Sequence, residues 1–146
     1  MHARQTLLGL LPAALLAATA AQAQTVDRQN RPPEVLVVVK DEAPRCEPQQ
    51  LRVPSRANID LRITNQGKRS VLVSAPDMFK DDRVRGVTNA KEANGGYVIE
   101  HGQTAQFIVL TPEEGEYKFG CVEPGQADVA TTGSLVTVRS ATQYNK

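Results

Sequence analysis

Between residues 35 and 139 the apolar positions recur in short stretches at every second residue, not at helical spacing. Asn58 to Thr64 is the clearest case: Ile59, Leu61 and Ile63 fall on one face and Asp60, Arg62 and Thr64 on the other, the pattern of a half-buried strand. Val35 to Val39 is a valine-rich strand and Gln50 to Val53 a shorter one. Asn65-Gln66-Gly67-Lys68 supplies a turn, after which Ser70 to Ser74 is the returning strand of a hairpin. Tyr97 to Glu100 and Gln103 to Leu110 flank the His101-Gly102 turn, Glu116 to Cys121 follows Glu114-Gly115, and Gly133 to Arg139 closes the series. From Ala75 to Gly96 the alternation fails, with Pro76, the mixed charges from Lys80 to Arg85, and Asn94-Gly95-Gly96. That stretch reads as a long solvated connection with room for one helical turn. Seven or eight short strands and no convincing helix predict an all-β, Greek-key antiparallel β-sandwich.

The amino terminus follows a different rule. Met1 to Arg4 is cationic, Leu7 to Ala20 is an apolar run, and Ala21-Gln22-Ala23 fits a small-x-small cleavage site, so residues 1–23 are predicted to be a secretory signal peptide. The run is shorter than the roughly 20 residues needed to cross a bilayer and no second one follows, which predicts no membrane span after cleavage. Residues 24–34, with Pro32-Pro33, are expected to be a flexible lead-in, residues 35–139 the domain, and residues 140–146 a tail. The expected location is periplasmic or secreted. Cleavage removes Arg4 and no acid, so the 17 Lys and Arg become 16 against 16 Asp and Glu. A balanced chain offers no concentrated positive charge for nucleic acid.

One segment carries candidate chemistry. In Gly115-x-Tyr117-x-Phe119-x-Cys121-x-x-Pro124-Gly125, period two puts Tyr117, Phe119 and Cys121 on one side, and the aromatics mark that side as buried. Together with Cys46-Glu47-Pro48, Leu61-Arg62-Ile63-Thr64-Asn65-Gln66-Gly67, His101-Gly102-Gln103-Thr104 and Gly133-Ser134-Leu135-Val136, the chain resembles the cupredoxin domains over nearly all of its mature length. In that family the cysteine is a copper ligand, a histidine follows the Pro-Gly, a methionine often lies beyond it, and a second histidine comes from the strand after the Asn-x-Gly turn. Here Gln126 stands after Pro124-Gly125, Ala127 to Thr132 holds no methionine, and Ser70 to Ser74 holds no histidine. Blue copper needs two histidines and a cysteine in a trigonal set, and the mature chain retains only His101.

Three fates are then open to Cys121. It pairs with Cys46 in a disulfide, as export and the even count favour. It stays a small apolar thiol. Or it holds Cu(I) in an altered set with Met78 and with Cys46 or His101, since thiolate and thioether suit that ion. Met78 beside Phe79 equally suits gap-filling in the core, and His101 a solvated turn. No serine has a base at a suggestive position and the paired acids fall in charged turns, so the chain is not expected to be an enzyme. The resemblance implies a periplasmic binding or accessory module, with no cofactor, that recognises a protein partner. The other implied role is a small copper-handling or electron-transfer protein with an atypical Cys/Met copper site.

Overall fold

A computed structural model describes residues 31–40, 44–126 and 133–140, so the expected signal peptide and most of the expected lead-in and tail lie outside the described residues. Eleven strands succeed one another: β1 (Glu34–Lys40), β2 (Arg45–Glu47), β3 (Gln50–Pro54), β4 (Asn58–Asn65), β5 (Val71–Ser74), β6 (Val84–Thr88), β7 (Lys91–Ala93), β8 (Gly96–Ile99), β9 (Thr104–Leu110), β10 (Gly115–Val122) and β11 (Gly133–Val138). They form two facing sheets, one of five strands in the order β2-β1-β4-β9-β6 and one of six in the order β3-β11-β10-β5-β8-β7. The chain crosses from one sheet to the other at most connections, so strands consecutive in sequence often lie in different layers.

The alternating residues decide what the sheets enclose. Ile59, Leu61 and Ile63 of β4 point inward, beside Val37 and Val39 of β1 and Ala105, Phe107 and Val109 of β9. Across from them lie Leu51, Val73, Ile99, Phe119 and Leu135 of the second sheet. Each of these valine, leucine, isoleucine and phenylalanine side chains, removed from water, stabilises the sandwich by about 1.5–3 kcal/mol. Phe79, Tyr97 and Phe107 meet with ring centroids 5.0–5.2 Å apart and close one flank of this core. Leu36, on the outer face of β1, is the one large apolar side chain left exposed among the described residues.

The sandwich is the one expected, with two refinements. Its sheets are mixed: β1 runs parallel to β4 and β3 parallel to β11. Strand direction between distant segments leaves no mark in alternation, which reports only which face is buried. The 75–96 connection also contains two strands. β6 pairs with β9 through a register shift between Val84 and Gly86, so its inward residues Val84 and Val87 are not two apart and the period is lost. β7 is a polar edge strand, Lys91-Glu92-Ala93, with no apolar alternation to read. Where one helical turn was expected there are two isolated turns and no helix: the amides of Met78 and Phe79 donate to the carbonyl of Ala75, at 3.0 and 2.8 Å, and those of Arg83 and Val84 to the carbonyl of Lys80, at 2.8 and 3.1 Å.

Candidate functional site

The segment with candidate chemistry ends β10 at one pole of the sandwich. Phe119 and Cys121 both face inward, as period two demands, and Tyr117 is half-buried with its hydroxyl donating to the Glu113 carbonyl at 2.9 Å. β10 lies against β5 in a register that places Cys121 opposite Val73. Cys46 sits on β2 opposite Val39, on the edge of the other sheet. The two cysteines are joined by a disulfide with a Cα–Cα distance of 5.2 Å, and both are buried, at 3% and 1% exposure. It therefore clips an edge strand of one sheet to an inner strand of the other. Bridging 75 residues of sequence, it stabilises the fold by about 4–5 kcal/mol in the chain-entropy model.

Around this clip the turns are tied together by Asn65, which is almost fully buried. Its Nδ2 donates to the carbonyls of Arg69 (2.8 Å) and Ile99 (3.1 Å), and its Oδ1 accepts from the Gly67 amide (2.9 Å). Its backbone bonds to Gln103 and Gly102, so one residue holds the 66–70 turn against the 100–103 turn. Every polar group of the side chain has a partner, which is what makes a buried amide tolerable. Over these turns lies a cleft of about 520 Å³ lined by Lys68, Arg69, Ser70, Glu100, His101, Glu123 and Pro124. Its polar groups are largely engaged with one another: Arg69 pairs with Glu123 at 3.4 Å, and the Ser70 hydroxyl donates to Glu100 at 2.6 Å. Nearby, Lys40 reaches Glu47 at 2.8 Å. The hydrogen bond from Lys40, with the charges of Lys40 and Arg45, holds the Glu47 carboxyl below the usual carboxylate range despite some desolvation.

The expected ligands are placed apart in character. Cys121 is bonded to Cys46, Met78 is fully enclosed in the core, and His101 stands on an exposed turn, where its Nδ1–H donates to the Gly67 carbonyl at 2.5 Å. No three His, Cys, Asp or Glu side chains among the described residues converge where they could hold a metal ion. The copper that the fold implies does not fit these residues. Gln126, exposed after the Pro124-Gly125 turn, offers an amide where an imidazole is needed, and a disulfide sulfur is not a thiolate. The residues that shape this pole, Asn65, Arg69, Glu100 and Glu123, went unmarked in the sequence. Asn65-Gln66-Gly67 did announce a turn, but the Arg69–Glu123 pair spans 54 positions and leaves no local signal.

A sandwich with an inward cysteine ahead of a Pro-Gly turn defines the cupredoxin class of fold. The profile of the cupredoxin-like domain family matches residues 9–132, and the chain belongs to that family. No curated protein matches it. Among solved structures it is similar to auracyanin B, with 15% identity, 75% of this chain and 92% of that one covered, and a TM-score of 0.49. It is also similar to auracyanin A, a "blue" copper protein of Chloroflexus aurantiacus, with 14% identity, 72% and 99% covered, and a TM-score of 0.46.

Proposed function

We propose that this chain is an exported, periplasmic accessory module that binds a protein partner through the cupredoxin scaffold and neither catalyses a reaction nor carries a blue-copper centre. The observation behind this reading is the buried Cys46–Cys121 disulfide, which occupies the thiolate that the resemblance would give to copper. With the cysteine bonded, the pole is finished by neutral and ion-paired groups. Asn65 closes the turns, and Arg69 with Glu123 covers the segment that follows β10. Such a pole is stable without metal and presents a polar surface of both signs. Polar, mixed surfaces of this kind are common in transient protein contacts, where charge sets orientation more than affinity.

The decisive measurement is the visible spectrum of the purified, unreduced protein on addition of Cu(II). The expected outcome is no thiolate-to-copper absorption and no thiol reacting with an alkylating reagent under denaturing conditions. An intense visible band in the unreduced protein overturns the reading. Copper handling is the competing role and requires the free thiol of Cys121. Cu(I) titration of the reduced chain, repeated on Cys121→Ser and Met78→Leu, assigns it if affinity falls in both variants and dismisses it if neither changes.

A further inference from the structure

A second cleft lies away from the cysteine pole, along the free edge of the six-stranded sheet. It has a volume of about 250 Å³ and is lined by Pro76, Phe79, Glu92, Gly95, Gly96 and Tyr97. The strand registers explain its composition. Cys121, Val73, Tyr97 and Glu92 are successive cross-strand partners on β10, β5, β8 and β7, so all four point to the same, inner face of the sheet. The first two lie under the facing sheet, and Tyr97 half-emerges from it. Glu92, on the last strand, stands on the inner face yet is exposed.

The cleft thus combines aromatic walls with an anionic rim. Phe79 and Tyr97 meet edge to face at 5.1 Å, each is half-buried, and both are backed by the fully buried Phe107. No basic side chain among the described residues pairs with Glu92. Lys80, the nearest cation on the 75–80 turn, is bound to Asp77 at 3.4 Å, and Lys91 lies on the opposite face of β7 because it precedes Glu92 by one residue. The Tyr97 hydroxyl registers this setting: burial first, and then the negative charges of Glu92 and Asp81, hold its pKa above the usual tyrosine value. An inward carboxylate on an edge strand also discourages edge-to-edge pairing, but that purpose calls for no aromatic cleft beside it.

We propose that this cleft binds an arginine side chain presented by a protein partner. A guanidinium is planar and weakly hydrated, so it stacks on aromatic rings while its N–H groups reach a carboxylate, and a compact ammonium does this less well. The hairpin tip at Gly95-Gly96 adds no side chain that would close the cleft. The inference rests on the reading of the chain as a partner-binding module, and it names the chemistry of the partner.

The test is a titration of the full mature chain with N-acetyl-arginine amide, followed by backbone amide chemical shifts, with N-acetyl-citrulline amide as the uncharged isostere. Saturable shifts are expected at residues 92 to 97. Citrulline should bind about tenfold more weakly, because without the positive charge it loses the cation–π attraction to the rings and the ion pair with the carboxylate while keeping only stacking and neutral hydrogen bonds. Glu92→Gln, an exposed edge substitution expected to keep the fold, should weaken arginine binding about threefold. Absence of saturable shifts, equal binding of citrulline, or an unchanged affinity in Glu92→Gln overturns the proposal. A copper band in the unreduced protein, by contrast, sinks the proposed function and leaves an arginine site standing.

Discussion

At the scale of single residues, Tyr97 offers a direct reading of its surroundings. Burial is the first cause of its raised pKa and Glu92 the second, so Glu92→Gln should bring the value down without restoring the ordinary one near 10. Difference absorption against Tyr97→Phe isolates it from the other two tyrosines of the chain. The sign for stability follows from the proton count. The folded state holds this proton more tightly than the unfolded one, so the stabilisation is complete below the unfolded value and declines as pH rises through the folded value. Denaturation midpoints measured on the alkaline side should therefore fall less steeply in Tyr97→Phe than in the parent. Asn65 is the polar counterpart. Asn65→Ala removes three hydrogen bonds, one of them to the buried Ile99 carbonyl, with an expected loss of about 2–3 kcal/mol in urea unfolding. A loss below about 0.5 kcal/mol would mean that water takes over those bonds and that the turns are not held by this residue. Neither role was legible in the sequence. Glu92 sits in a charged stretch that reads as solvated, because its place on the inner face is set by the β7–β8 register and not by any alternation of its own, and Asn65 reads as one more turn asparagine, because its burial depends on the 99–103 segment more than 30 residues on. The cysteines were legible as a candidate pair, since a signal-like amino terminus and an even count are sequence properties.

At the scale of elements, what the sequence revealed depended on whether a strand has one wet face. β4 and β9 do, and their alternation marked them to within a residue or two. β5 is buried on both sides, and its four residues show no alternation, so it was legible only as the return of a hairpin, while the structure pairs it with β10 and β8 and not with β4. β2, β6 and β7 are short, bulged or polar edge strands, and their pairing is imposed by neighbours instead of by their own pattern. The β7–β8 hairpin shows how strict that imposition is. A Cβ on Gly96 would lie 2.0 Å from the Val73 carbonyl oxygen, a backbone atom that cannot swing aside, whereas one on Gly86 would meet nothing within 4 Å. Gly96→Ala should therefore cost about 1–3 kcal/mol and lift the hairpin from β5, while Gly86→Ala on β6 should stay within about 0.5 kcal/mol of the parent. Amide exchange over residues 91–99 separates the two. Faster exchange there is expected in Gly96→Ala alone, and the arginine cleft, which shares that hairpin, should be lost with it.

For the molecule as a whole, the question is what a cupredoxin fold does with its cysteine when the imidazoles are gone. A lone cysteine at the end of β10 would be enclosed as the neutral thiol, a small apolar side chain that ties nothing together. Joining it to Cys46 ties the free edge of the five-stranded sheet to the centre of the other. The benefit lies mainly in the unfolded chain, which the bond restrains over 75 residues of sequence. That distinction can be measured. If the bond acts on the unfolded state, the Cys46→Ala/Cys121→Ala chain should keep the native fold but lose about 4–5 kcal/mol in the chain-entropy account, more if the space left by the sulfurs does not close and less if the unfolded chain retains contacts. Its unfolding should also show a larger urea m-value, because an uncrosslinked chain exposes more surface when it opens. A stability loss with an unchanged m-value would place the effect in the packing of the two sulfurs instead. Comparable loss in Cys46→Ala alone, with Cys121 left free and the fold intact, would provide the chain on which Cu(I) binding is most fairly tested, since it retains the family's cysteine without its clip.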